Sequence, residues 1–186
     1  MSHTSQQYDE VIKSCKEIFI KKTKDYGTSW RVLRPVSIVD QIFIKAQRIR
    51  NLQETKVQRV DNIGDDIPSE FRGIVNYALI GMIQDQLQAE ASEEMQVEEV
   101  EPLYTQMATQ AKQLMENKNH DYGEAWREMS QESFVDLILM KLMRIRQIIA
   151  NEGKTLASEG IDANYLDIIN YAVFGLILIG EGKHGK

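Results

Sequence analysis

One cysteine, three prolines and three histidines in 186 residues exclude several common architectures. A lone Cys15 rules out an internal disulfide and any CxxC-type zinc site, and it fits a reducing compartment. Scarce proline suits a helical chain. Long hydrophobic runs are also missing. The longest, near 171–179, is too short for a bilayer span, and the polar first ten residues hold no signal-peptide core. The expectation is a cytoplasmic protein without membrane contact. Positive charge is not in excess either: the net charge is −6, and Glu90, Glu93, Glu94, Glu98, Glu99 and Glu101 account for all of it. That acidic run reads as a linker or helix ends kept soluble by their own charge. No basic face of the kind that grips DNA is present, so direct nucleic-acid binding is not expected.

What the chain does have is an internal repeat. Lys22-Thr23-Lys24-Asp25-Tyr26-Gly27-Thr28-Ser29-Trp30-Arg31 returns as Lys118-Asn119-His120-Asp121-Tyr122-Gly123-Glu124-Ala125-Trp126-Arg127, with six of ten positions identical. Val39-Asp40, Lys45 and Arg48-Ile49-Arg50 return as Val135-Asp136, Lys141 and Arg144-Ile145-Arg146. Asn76-Tyr77-Ala78 and Gly81 return as Asn170-Tyr171-Ala172 and Gly175. Repeats of this length are whole subdomains rather than solenoid units.

Each repeat reads as three helices. Tyr8, Val11, Ile12, Cys15, Ile18 and Phe19 recur at helical spacing, and the first helix should stop at Asp25-Tyr26-Gly27. The second is expected from Ser37 as N-cap to about Leu52, the third from Pro68-Ser69 to about Gln88. Repeat two follows at roughly 99–117, 131–151 and 162–179. The fold class is all-α: a six-helix bundle of two three-helix repeats related by a pseudo-two-fold. Repeat one is expected over 5–90, an acidic linker over 91–99 and repeat two over 100–182. The second repeat's middle helix is apolar nearly all round, so the two middle helices are expected at the interface.

The retained polar residues are the candidates for function. Asp-Tyr-Gly-x-x-Trp reads either as a helix-stop turn with aromatic anchors or as a pocket wall. In the second case Tyr122 or Trp126 would stack on a planar ligand, and Asp25 or Asp121 would bind a sugar hydroxyl or a metal. Lys45 and Arg48 share a helix face, as do Lys141 and Arg144; ion pairing and phosphate binding are both open to them. On the last helix Asp167, Asn170 and Tyr171 share one face. In repeat one the equivalents are Gly73, Asn76 and Tyr77, so the carboxylate is gone, while one turn earlier Glu70 stands opposite Asn164. Each copy thus holds half of an E-x-x-D pair of the type that binds magnesium. Glu70 and Asp167 would meet only if the halves face each other.

The order Asp-Tyr-Gly, Asp … Lys-x-x-Arg, Asp-x-x-Asn-Tyr-Ala resembles the family called nucleotide-modification-associated domain, type one. The resemblance covers both repeats and implies a tandem pair linked to nucleotide or base modification. It falls on Asp25, Tyr26, Gly27, Lys45, Arg48, Asn76 and Tyr77, and on Asp121, Tyr122, Gly123, Lys141, Arg144, Asp167, Asn170 and Tyr171. Gly73 departs from it where Asp is expected. A weaker similarity, in architecture and helix-three spacing only, leads to all-α nucleoside-triphosphate pyrophosphatases of the MazG type, whose E-E-x-x-E ligand segment this chain lacks on its middle helices. Two functions follow as expectations. One is nucleotide binding between the repeats, with magnesium on Asp136, Asp167 and Glu70 and hydrolysis as an extension. The other is a non-catalytic helical module, its repeated polar residues forming buried networks. A homodimer is compatible with either.

Overall fold

The computed structural model describes residues 2–57, 66–88, 94–156 and 159–185. Among them six long helices account for nearly all regular structure: α1 His3–Tyr26, α2 Pro35–Thr55, α3 Ile67–Leu87, α4 Val97–Tyr122, α5 Gln131–Ala150 and α6 Ile161–Gly180. Short 3₁₀ turns at Ser29–Val32 and Ala125–Glu128 follow α1 and α4. The starts are set by local chemistry. The Ser2 and Ser130 hydroxyls and the Asp66 carboxylate each accept from the backbone N–H three residues on, satisfying a helix donor that has no partner inside its own helix. α2 begins two residues before the expected Ser37 because Pro35 takes its first turn, where a missing N–H is not felt. α4 begins earlier than expected on a Gln96–Glu99 capping box. It therefore absorbs the end of the acidic run: Glu98 and Glu99 sit in its first turn, where the helix dipole favours negative charge, and Glu101 reaches Lys16 at 3.0 Å. The preceding part of the expected linker, 91–93, lies outside the described residues.

α3 and α6 cross at the centre, with α2 against α3 and α5 against α6. α2 and α5 also meet, while α1 and α4 each touch both α3 and α6. One continuous hydrophobic cluster runs through both repeats, so the halves share a core rather than forming two domains. The α3–α6 crossing is reciprocal. A side chain at Gly81 would meet the Tyr165 ring within 2.6 Å, and one at Gly175 would meet the Phe71 ring within 3.0 Å. Tyr165 and Phe71 are themselves equivalent positions, so the retained glycines are explained by close ring-on-backbone packing.

The centre of the bundle differs from expectation in one respect. The middle helices α2 and α5 do meet, but their outer faces are open to solvent, with Ile44, Met140 and Met143 exposed. The third helices take the central place instead. α6 is apolar on nearly every face and is long enough, by length and composition, to cross a membrane, yet 78% of its apolar stretch is buried inside the bundle. A helix that is hydrophobic all round is satisfied by being surrounded by protein.

Candidate functional site

The repeated polar residues sort into two groups by what they touch. The first joins the halves. Asn76 donates its amide to the Cys15 carbonyl at 3.0 Å and accepts from the Tyr104 hydroxyl at 2.8 Å. Asn170 donates to the Ala111 carbonyl at 3.0 Å and accepts from the Tyr8 hydroxyl at 2.7 Å. Tyr8 corresponds to Tyr104 and Cys15 to Ala111, so the two clasps are the same clasp turned about the pseudo-two-fold. Burial pushes both phenols far above the ordinary tyrosine range, so they serve as neutral donors. Asn76 and Asn170, expected to face a ligand, are buried and spend their hydrogen-bonding capacity on these clasps. The same exchange occurs outside the core: Arg50 pairs with Asp136 at 2.5 Å and Arg146 with Asp40 at 2.9 Å.

The second group stays within each repeat. In repeat two Asp167 is buried at 6% exposure and bridges two lysines, Oδ1 to Lys118 Nζ and Oδ2 to Lys141 Nζ, both at 2.8 Å. Burial opposes the charge on Lys118, but the hydrogen bond and charge of Asp167 outweigh it and hold the ammonium above its ordinary range. Arg144, with Asn164 where repeat one has Glu70, has no carboxylate partner among the described residues and reaches the Met140 sulfur at 3.9 Å. In repeat one the carboxylate has moved back one turn. Glu70 is held by Arg48 at 2.8 Å and more loosely by Lys45 at 3.8 Å. Lys22, the equivalent of Lys118, is exposed and has no carboxylate partner among the described residues.

Lys22, Lys45 and Glu70 line a cleft of about 810 Å³. Its polar wall carries Lys22, Lys45, Glu70 and Arg72, and its apolar wall carries Phe19, Trp30, Tyr77 and Ile80. Every lining residue belongs to repeat one, so this cleft lies inside a repeat and not between the two as expected. At the equivalents of Gly73, Ile80 and Arg72, repeat two carries Asp167, Phe174 and Leu166: more bulk, a negative charge and one cation fewer.

The aromatic residues divide the same way. Trp126 stacks on Phe174, centroids 4.1 Å apart, with the Arg127 guanidinium 4.4 Å from its ring centroid. Its indole N–H donates to Asn119 at 3.1 Å. It is a packing anchor, and the expected base contact is not open to it. Trp30 is only half-buried, tilted against Phe19 at 6.4 Å, and its N–H has no partner among the described residues. Lys45 stands 5.7 Å from the Tyr77 ring centroid. Tyr171 packs toward Phe134. Tyr26 and Tyr122 are about seven-tenths exposed, and Asp25 and Asp121 lie at the surface, Asp121 beside His120 at 3.1 Å. Gly27 and Gly123 turn the chain at φ 65° and 61°, where a side chain is strained. At Gly27 there is a second reason: the Glu94 carboxylate lies where a Cβ would stand.

The expected magnesium ligands do not converge. Glu70 lies against Arg48 and Lys45, Asp167 against Lys118 and Lys141, and Asp136 against Arg50 on the surface. Among the described residues no group of three carboxylate, histidine or cysteine side chains is placed to hold a metal. A cation would meet an ammonium or guanidinium at each of these positions, so this donor set does not fit magnesium. Two cleft residues stand outside the candidates named from sequence: Lys22, which opens the repeated decapeptide, and Arg72, which neighbours the anomalous Gly73. Trp30 closes the Asp-Tyr-Gly-x-x-Trp motif and lies in the cleft wall.

A family model described as nucleotide modification associated domain 1 matches the chain twice, over 22–84 and 118–179, more than half its length. The chain belongs to that family, in tandem. Each matched segment of this nucleotide modification associated domain opens at the motif lysine, Lys22 or Lys118, and closes on the third helix of its repeat. The unit therefore takes in the polar wall of the cleft and leaves out the clasp tyrosines Tyr8 and Tyr104. No curated protein matches the chain, and no solved structure does.

Proposed function

We propose that this protein binds a nucleotide in the cleft of repeat one. Lys22, Lys45 and Arg72 face the phosphate, and the base lies against Trp30 and Tyr77. The observation that carries the reading is the missing carboxylate. Where repeat two places Asp167 between two lysines, repeat one has Gly73, and its lysines line an open cleft. Lys22 without a carboxylate partner and Lys45 only loosely paired with Glu70, beside aromatic faces in a cavity of this size, suit a ligand with one anionic and one flat aromatic end. The family's description supports the nucleotide class, and binding rather than hydrolysis fits a carboxylate set that is already tied to cations.

A thermal-shift series with ribo- and deoxyribonucleotides, run with and without magnesium, tests this. Ligand at about a hundred times its Kd adds about 2.7 kcal/mol, which for a chain of this size raises Tm by roughly 5–10 °C. The rise should persist in EDTA. Absence of any shift across the series would overturn the reading. A shift that requires magnesium would return the carboxylates to consideration as ligands.

A further inference from the structure

Lys118 and Lys141 in repeat two hold one small anion between them, and that anion is the protein's own Asp167, each oxygen 2.8 Å from one ammonium. Repeat one retains both lysines, as Lys22 and Lys45, and lacks the anion. The Lys45 side chain lies directly over the bare Cα of Gly73: a Cβ built there would stand 3.0 Å from its Cδ and Cε and 3.2 Å from its Nζ. Glu70 does not replace what is missing, since its short contact, 2.8 Å, goes to Arg48 and Lys45 stays at 3.8 Å.

We propose that Asp167 stands in for a ligand phosphate, so that repeat two is a copy of the site closed by its own side chain and repeat one is the open copy. The ligand class follows from the same geometry and rests on the nucleotide reading above. Two lysines bracket the two oxygens of a single carboxylate in repeat two, and a single phosphoryl group offers the same pair of acceptors. Beyond Lys22 and Lys45 the wall carries the Glu70 carboxylate, held at 2.8 Å by Arg48 from outside the lining, and its charge repels a phosphate chain extending that way. The cleft therefore takes a nucleoside monophosphate in preference to a triphosphate. Gly73 is the residue that keeps it open.

Calorimetric titration of the full chain with the common nucleoside monophosphates and the matching triphosphates tests this. Wild type should bind one monophosphate per chain, about tenfold or more tighter than the triphosphate. Gly73→Asp should lose about tenfold or more in affinity, the scale of one charge-assisted hydrogen bond. Its Tm should stay or rise, because the new carboxylate gives Lys22 and Lys45 a counter-ion and the flexible Lys45 stem can yield. Asp167→Gly should lower Tm, with Tm recovering as inorganic phosphate takes the carboxylate's place between Lys118 and Lys141; the stacked Trp126 and Phe174 leave no room there for a base. If Asp167→Gly does not fold, Gly73→Asp decides alone. Undiminished binding by Gly73→Asp, a triphosphate preference, or a folded Asp167→Gly chain whose Tm inorganic phosphate does not raise would each overturn this inference and leave the nucleotide reading standing. Wild type that binds neither class overturns the nucleotide reading itself.

Discussion

Asp162, in the first turn of α6, faces Asp85 near the end of α3. Burial, with the hydrogen bond and negative charge of Asp85, pushes its carboxyl up to about 6. The folded state therefore prefers the protonated acid, while the unfolded chain releases the proton near its ordinary value of 3.8. The associated stability is fully present below the unfolded value and is lost as pH rises through about 6. Asp162→Asn should accordingly raise Tm at pH 7–8 and leave it nearly unchanged at pH 4. Because the side chain is partly solvated, the gain should be about 1 kcal/mol, well under the full linkage value. Melting curves of wild type and variant across pH check this, and an equal effect at both ends would show that charge is not the cause. Residue identity alone did not reveal this pair, because Asp85 and Asp162 occupy different positions in their repeats and meet only through the crossing of α3 and α6.

At the scale of the helix, the α3–α6 crossing depends on two glycines that present bare backbone to a ring. Gly81→Ala and Gly175→Ala add a methyl where the Tyr165 or Phe71 ring already stands, 2.6 and 3.0 Å from the added carbon. Overpacking of this kind costs about 1–3 kcal/mol, more than alanine's helix propensity returns. Urea denaturation should show both variants destabilised, Gly81→Ala the more so; a neutral result would mean the rings move aside freely. Helix number and class were legible in the sequence, because apolar periodicity and the Gly-containing stops are local signals. Half of the polar pattern was legible too: Lys45, Arg48, Glu70, Lys141 and Asp167 lie on shared helix faces as their spacing implies. Spacing names a face but not the neighbour it meets. That is why Asn76 and Asn170 read as ligand contacts when a tyrosine from the other half claims each one. It is also why Asp136 read as a metal ligand when Arg50 lies beside it.

Across the whole molecule, three kinds of contact that join the halves occur twice with the roles exchanged: Tyr8 on Asn170 and Tyr104 on Asn76, Arg50 on Asp136 and Arg146 on Asp40, Phe71 on Gly175 and Tyr165 on Gly81. A single repeat therefore carries both sides of each contact. Residues 97–185 expressed alone should associate as a homodimer, with Tyr104 of each copy reaching Asn170 of the other. Light scattering behind size exclusion would report twice the fragment mass, and a folded monomer would show that the clasps are dispensable. In a true homodimer, any change to one copy's pocket appears in the other as well, so glycine and aspartate cannot stand at the same position on opposite sides of the axis. Joining the copies in one polypeptide keeps the partner present at any dilution and removes that constraint. The difference between Gly73 and Asp167 is one that a homodimer cannot hold and a fused pair can.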